Sequence, residues 1–144
     1  LFHESAHTLH EERAYPPEFD KLSSLEYQKQ DAFSYWWRTG QSSNYAGFVS
    51  DYASTDADED FAELFAFYIL YSDTEWEELM KKAEGKNRSE ATLTGREIIE
   101  KKLAIMKEYL RSEYSADLDK IRAEAQKRLA KVASMDFTQY PKGY

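Results

Sequence analysis

The sequence contains no cysteine, and its 144 residues include only five glycines and three prolines. Disulfides and thiol chemistry are therefore excluded, and helices are favoured over a turn-rich all-β fold. The longest apolar run covers only residues 65–71, far short of the roughly 20 residues of a membrane-spanning helix. The formal net charge of −8 argues against a nucleic-acid partner, which would favour a basic face. We expect no nucleic-acid partner and no transmembrane segment in this chain.

The composition is that of a folded protein. Hydrophobic residues make up 42% of the chain and aromatic residues 15%, which provides bulky side chains for a core in one domain of this length. The spacing of apolar residues is helical through most of the second half. The sequence patterns divide the chain into a helix over 1–12, an irregular region over 13–57 with one short helix around 31–37, a helix over 58–72, a helical bundle over 73–133 and a tail over 134–144.

Three polar residues are candidates for helix caps. Thr74-x-x-Glu77 and Thr94-x-x-Glu97 have the spacing of capping boxes, in which the two side chains satisfy the first free N–H groups of a helix. Ser115 is placed to cap the last helix, which carries an apolar stripe at helical spacing. That stripe consists of Leu118, Ile121, Ala125, Leu129 and Val132.

The segment Phe2-His3-Glu4-Ser5-Ala6-His7 has the spacing of a zinc site. Residues four apart share one face of a helix, so His3 and His7 can bind one ion. Glu4 follows the first histidine, and its carboxylate is placed to take a proton from a zinc-bound water. Apolar residues flank the motif on both sides, which favours a buried site over a surface helix that carries two histidines by chance. We therefore predict a zinc site with Glu4 as general base.

A catalytic zinc site of this type needs a third protein ligand. An arrangement with three histidines would need glycine at position 10 and histidine at position 13, whereas this chain has His10 and Arg13. His10 lies one turn beyond His7, and a position on the helix surface or behind a ligand is favoured over ligation. The third ligand is therefore expected from another segment.

Two carboxylates on a second, strongly apolar helix are candidates for this ligand. Glu59 and Glu63 are four residues apart and share a face, which is costly on a buried helix unless they are paired or bind metal. One would ligate the ion, and the other would accept a hydrogen bond from a ligand histidine. The alternative is a solvated acidic helix start, which suits the helix dipole and which neighbouring acids favour, namely Asp56, Asp58 and Asp60.

Three segments together carry a resemblance to a known family: the residues from His3 to His10, then Tyr52-Ala53-Ser54, then Glu59-Asp60-Phe61-Ala62-Glu63-Leu64. They resemble the zinc-binding metallopeptidase family of Bacteroidetes lipoproteins, also called substrate import-associated zinc metallohydrolase lipoproteins. The likeness covers most of the chain. It implies a mainly α fold, the C-terminal helical part of a zincin-like metallopeptidase whose N-terminal sheet is absent from this chain.

A more distant likeness to the catalytic domain of anthrax lethal factor implies roles for single residues. By this likeness Glu59 completes the zinc ligands, Glu63 orients a ligand histidine, and Tyr52, seven residues before Glu59, stabilises the transition state. A phenol hydroxyl near the metal can donate to the oxyanion that forms at the attacked carbonyl. The pattern has Phe where this chain has Asp60. Because of this departure, Asp60 stays open as an alternative ligand to Glu59.

The resemblance implies a zinc-dependent metallohydrolase of the gluzincin type, a peptidase acting on peptides or proteins. It also implies a secreted bacterial lipoprotein of the outer membrane or periplasm, with outer-membrane import machinery as an expected partner. The alternative is a non-catalytic binding lipoprotein that keeps a zincin scaffold for glycan or peptide import. Because the motif lies at the start of the chain, we expect that an N-terminal part with the substrate-binding edge strand precedes it, and that this piece alone holds an incomplete cleft.

Overall fold

The computed structural model describes residues 1–28 and 31–134, and within these ranges it contains helices and no strand. The mainly α fold is thereby confirmed. The predicted tail lies outside the described residues except for Ser134. None of the described helices combines the length and the apolar character that a membrane span requires. The helices are α1 (Phe2–Glu12), α2 (Pro17–Lys21), α3 (Ala32–Thr39), α4 (Ala57–Leu70), α5 (Asp73–Lys82), α6 (Gly95–Tyr114) and α7 (Leu118–Ala133), with 3-10 turns at Asn44–Ala46 and Tyr52–Ser54.

Helix α4 lies at the centre of the fold. It is apolar around most of its circumference, and Phe61, Leu64, Phe65 and Ile69 are all buried, as expected of a helix that is stabilised mainly by packing. It contacts α1, α6, α7 and the 3-10 turn at Tyr52–Ser54. The first turn of α4 is thereby held against the helix that carries the His-Glu-x-x-His motif.

One of the two predicted capping boxes is present in the structure, at the start of α6. The Thr94 hydroxyl accepts from the N–H of Glu97 at 3.2 Å, and the Glu97 carboxylate accepts from the N–H of Thr94 at 3.1 Å. Thr94 therefore caps α6, as predicted. Behind this cap, a Cβ at Gly95 would overlap the carbonyl oxygen of Asn44, so only glycine lets the start of α6 pack on the 3-10 turn at Asn44–Ala46.

Two other predicted caps are wrong. Because α4 ends at Leu70 and the chain is extended at Ser72, the capping box of α5 is Ser72-x-x-Glu75, and Thr74 lies inside the helix. Ser115 takes a left-handed conformation with φ 51° at the end of α6. The cap of α7 is instead Asp117, whose carboxylate accepts from two N–H groups of the first turn at 3.0 and 3.2 Å.

The region over 13–57 contains α2, α3 and both 3-10 turns, and it packs on the core. Trp36 is buried and donates its indole N–H to the Ser54 hydroxyl at 2.8 Å, whereas the next residue, Trp37, is 87% exposed. At the other end of the chain, the predicted stripe of α7 is buried fully only at Leu118, and Leu129 and Val132 are exposed.

Candidate metal centre

Helix α1 presents the two predicted histidine ligands toward α4. The inner face of α1 is apolar. Ala6 is fully buried, and Phe2 and Leu9 are partly buried and pack against the core. At the end of the helix the Leu9 carbonyl accepts from the hydroxyls of Tyr109 and Tyr114 at 3.1 and 2.6 Å. These contacts fix the helix against the core, and His3 and His7 consequently face the first turns of α4.

Three side chains converge between α1 and α4. His3 Nε2 and His7 Nε2 are 3.0 Å apart, His7 Nε2 is 2.6 Å from Glu59 Oε1, and His3 Nε2 is 3.3 Å from Glu59 Oε2. One ligand atom from each residue lies within 4.8 Å of the others. Ligands of a tetrahedral zinc ion are about 3.3 Å apart, given metal–nitrogen bonds of about 2.0–2.1 Å. The spacing of the three side chains is therefore close to the size of a zinc site.

Hydrogen bonds within this cluster leave one buried oxygen unsatisfied, and a bound cation would satisfy it. Glu59 Oε2 is buried and has no hydrogen-bond partner in the described part of the chain. Such atoms are uncommon, because an unsatisfied buried acceptor costs about 1–3 kcal/mol. An ion bound by His3, His7 and Glu59 would supply the missing partner. The donor set of two imidazoles and one carboxylate is also one that zinc accepts.

The Glu63 carboxylate contacts Nδ1 of His3, the ring nitrogen that does not face Glu59. Its Oε2 lies 3.0 Å from His3 Nδ1, while its Oε1 accepts from the Ser50 hydroxyl at 2.9 Å. This is the carboxylate–histidine contact that usually fixes the tautomer and orientation of a ligand histidine. Ser50 was not anticipated from the sequence, since a single serine in an irregular region carries no pattern.

Asp60, the next residue of α4, is engaged by groups outside the cluster. Its Oδ2 is 2.7 Å from the ammonium of Lys102 and accepts from the Tyr27 hydroxyl at 2.7 Å. Lys102 also donates to the Gly47 carbonyl at 2.8 Å and lies 4.3 Å from the ring centroid of Phe48. Burial raises the pKa of the Asp60 carboxyl, and the nearby lysine opposes that rise. The geometry thus brings Glu59, and not Asp60, to the two imidazoles.

Tyr52 lies at the rim of the cluster. Its ring centroid is 6.0 Å from that of His3, and the residue is 37% exposed. The nearby Glu59 carboxylate is the main cause that raises the pKa of Tyr52 to about 12, and burial adds to it less strongly. Phe33 of α3, which is 68% exposed, stacks on Tyr52 with ring centroids 5.9 Å apart.

Glu4 and His10, the two remaining candidate residues of α1, differ in exposure. Glu4 is exposed and forms no ion pair among the described residues. The His10 side chain, in contrast, is 9% exposed, and its Nε2 lies 2.8 Å from Nδ1 of His7. His10 is not one of the three converging side chains. It lies behind a ligand, the position that its sequence spacing favoured over ligation.

The chain matches known proteins both as a sequence and as a structure. Residues 1–119 match the model of a family described as "Putative zinc-binding metallo-peptidase". The structure is similar to the crystal structure of a protein from Bacteroides caccae that is described in the same words, with a TM-score of 0.77 and 30% sequence identity. That similarity covers 94% of this chain and 48% of the other, so this chain spans about half the length of that protein. No protein with a curated functional description matches the chain. The family match over most of the sequence means that the chain belongs to this zinc-binding metallopeptidase family.

Proposed function

We propose that this chain carries the catalytic zinc site of a peptidase, in which His3, His7 and Glu59 hold the ion. The convergence of these three side chains, with a buried and unpartnered oxygen on Glu59, is the observation on which this proposal rests. Family membership supports zinc and peptide hydrolysis at the level of the family description. When bound, the ion would supply a water molecule acidic enough to lose a proton near neutral pH, and would polarise the substrate carbonyl.

Proton transfer, stabilisation of the oxyanion and orientation of a ligand are carried out by three other residues of the chain. Glu4 takes the proton of the attacking water and delivers it to the leaving amine, a role that its exposed position next to His3 leaves open to solvent and substrate. Tyr52, whose ring lies 6.0 Å from that of His3 at the rim of the cluster, donates its hydroxyl in a hydrogen bond to the oxyanion. Glu63 fixes His3 through Nδ1, so that Nε2 keeps its lone pair for the metal.

The test is metal content followed by hydrolysis. The purified 144-residue chain, supplied with zinc, is expected to hold one ion per molecule, and His3→Ala and Glu59→Ala are expected to abolish that binding. A wild-type chain that retains no zinc under these conditions contradicts the proposal. Glu11→Ala, the same substitution at an exposed position of α1, serves as the matched control and should keep zinc at the wild-type level.

Substitution of Glu4 separates a peptidase from a binding protein. Glu4→Gln is expected to keep zinc at the wild-type level, since Glu4 is not among the three converging side chains. Its hydrolysis of a mixed peptide library should fall by about 10²–10⁴-fold, measured by the release of new amino termini. Equal release by wild type and Glu4→Gln argues against the general-base role, and zinc binding without hydrolysis by either protein favours the binding alternative.

A further inference from the structure

The two ring nitrogens of His7 contact different groups. Nε2 faces His3 and Glu59, at 3.0 and 2.6 Å, whereas Nδ1 lies 2.8 Å from Nε2 of His10. His10 follows His7 by three residues on α1, so the two side chains are neighbours on the same helix face. Its ring packs edge-on to Tyr15 and Phe61, with centroids 5.7 and 5.9 Å away. The His10 ring is therefore held in place behind His7.

The protons of these two rings are coupled through their contact. For Nε2 of His7 to give its lone pair to a metal, the neutral ring must carry its proton on Nδ1. That N–H then donates to Nε2 of His10, which must carry a lone pair, so the proton of His10 is on its own Nδ1. This nitrogen lies 3.8 Å from Oδ1 of Asp58, a carboxylate oxygen that also accepts from the Tyr15 hydroxyl at 2.6 Å.

We propose that His10 is a positioning residue, which accepts the Nδ1 proton of His7 and so fixes the tautomer and orientation that zinc requires. The inference rests on the proposed zinc site and extends it to a residue with no direct contact with the ion. His3 would then be oriented by a carboxylate from α4, and His7 by an imidazole from its own helix. Asp58 and Tyr15 would orient His10 in turn.

Two substitutions at position 10 distinguish acceptance of a proton from mere packing. His10→Gln can place an amide oxygen where the Nε2 of His10 lies, whereas His10→Leu fills the space without an acceptor. Zinc affinity is measured by competition with a chromophoric chelator. We expect His10→Leu to bind zinc about 10–100-fold more weakly than wild type and His10→Gln to stay close to wild type. Glu11→Leu and Glu11→Gln introduce the same side chains at the next, exposed position of α1, and neither should change the affinity.

The imidazole protons give a readout that does not depend on affinity. In the zinc-loaded protein with labelled histidines, the Nδ1 protons of both His3 and His7 should be visible by nuclear magnetic resonance, because each is held by an acceptor. In zinc-saturated His10→Leu the proton of His7 should disappear through exchange with water. The proton of His3, which Glu63 holds, should remain and serves as the internal control.

The possible failures have different meanings. If the wild-type chain binds no zinc, the proposed function fails and the role of His10 fails with it. If wild type binds zinc and His10→Leu binds it equally well, the role of His10 alone is wrong. If His10→Gln is as weak as His10→Leu, packing and not proton acceptance accounts for the loss, and the proposal is again overturned. Should circular dichroism show that His10→Leu is unfolded, the proton spectrum of His10→Gln decides, because loss of the His7 proton there contradicts the proposal.

Discussion

Lys102 joins α6 to the first turn of α4 from inside the core. Its ammonium is 2.7 Å from Asp60 and the side chain is 1% exposed. The pair is completed by the Tyr27 hydroxyl and the Gly47 carbonyl, which satisfy groups that would otherwise be costly to bury. Glu59 lies in the same turn of α4 as Asp60, so the pair anchors the turn that carries Glu59.

Removal of the lysine should destabilise the protein strongly. Lys102→Met leaves the Asp60 carboxylate buried without a cation, which costs about 3–5 kcal/mol of unfolding free energy, measured by urea denaturation. The double variant Lys102→Met, Asp60→Asn removes both charges and should lose less than the single variant. Lys101→Met, at the exposed neighbouring position, is the control and should stay close to wild type. A double variant as unstable as Lys102→Met would show that the loss is due to packing alone.

Single residues of the site differ in how far the sequence could predict them. The four-residue spacing of His3 and His7 follows from helix geometry, and the two carboxylates of α4 follow from their cost on an apolar helix. The choice between Glu59 and Asp60 does not follow, because both positions look equally acidic and the deciding partner, Lys102, is distant in sequence. Tyr52 was singled out only through family resemblance, since nothing local distinguishes it from ten other tyrosines.

Among the helices, the capping boxes of α5 and α6 respond to acid. Backbone and side-chain hydrogen bonds from Ser72 and Thr94 lower the pKa of Glu75 and Glu97 below the ordinary 4.5. Each carboxylate therefore binds its proton more weakly in the folded than in the unfolded state. The stability that it contributes is present above 4.5 and is lost as the pH falls through the lower, folded-state pKa.

A glutamine at the same position should remove part of this pH dependence. Glu97→Gln can still accept from the N–H of Thr94, but it does not titrate. Between neutral pH and a pH below 4.5, its unfolding free energy should fall less than that of wild type, as measured by urea denaturation at each pH. Glu90→Gln, at an exposed position outside the helices, is the control. Equal losses in wild type and Glu97→Gln would contradict the cap as the source of the acid sensitivity.

Helices were easier to predict than their ends. The apolar spacing of α4 and α6 is strong enough to identify them as helices, because packing of one face stabilises a helix. The start of α5 was misassigned since Ser72-x-x-Glu75 and Thr74-x-x-Glu77 have the same pattern, and only the end of α4 decides between them. The apolar stripe of α7 identified a helix but not what covers it, since no described element covers its last turns, where Leu129 and Val132 are exposed.

At the scale of the whole molecule, the candidate zinc site connects two helices that are distant in sequence. An ion that binds only the folded arrangement stabilises it by mass action, by about 2.7 kcal/mol at a hundredfold excess over Kd. For a domain of this size that corresponds to a rise in Tm of roughly 5–10 °C. Scanning calorimetry should show this rise on addition of zinc and its reversal by a chelator. His3→Ala should show no rise, and an equal rise in that variant would place the stabilising ion elsewhere.

The arrangement of α1 against α4 was not readable from periodicity. Both helices have an inner face, yet many pairings would bury those faces, and the sequence alone does not give the angle or the register. The two segments could be connected from the sequence through the three ligands that one ion requires and through the family resemblance, and neither gives the packing of the helices. The tyrosines of α6 that hold the end of α1 (Tyr109 and Tyr114) had no such chemical requirement and were not anticipated.

The two helices of the site differ in how firmly they are buried. Within α1 only Ala6 is fully enclosed, whereas α4 buries most of its side chains. Backbone amides of α4 should therefore exchange with solvent only when the whole domain unfolds, while those of α1 can exchange through a smaller local opening. Both proposed histidine ligands, His3 and His7, lie on α1, the helix that is expected to open more readily. An ion held by His3, His7 and Glu59 would join α1 to α4, so zinc should slow the exchange of the α1 amides more than that of the α4 amides.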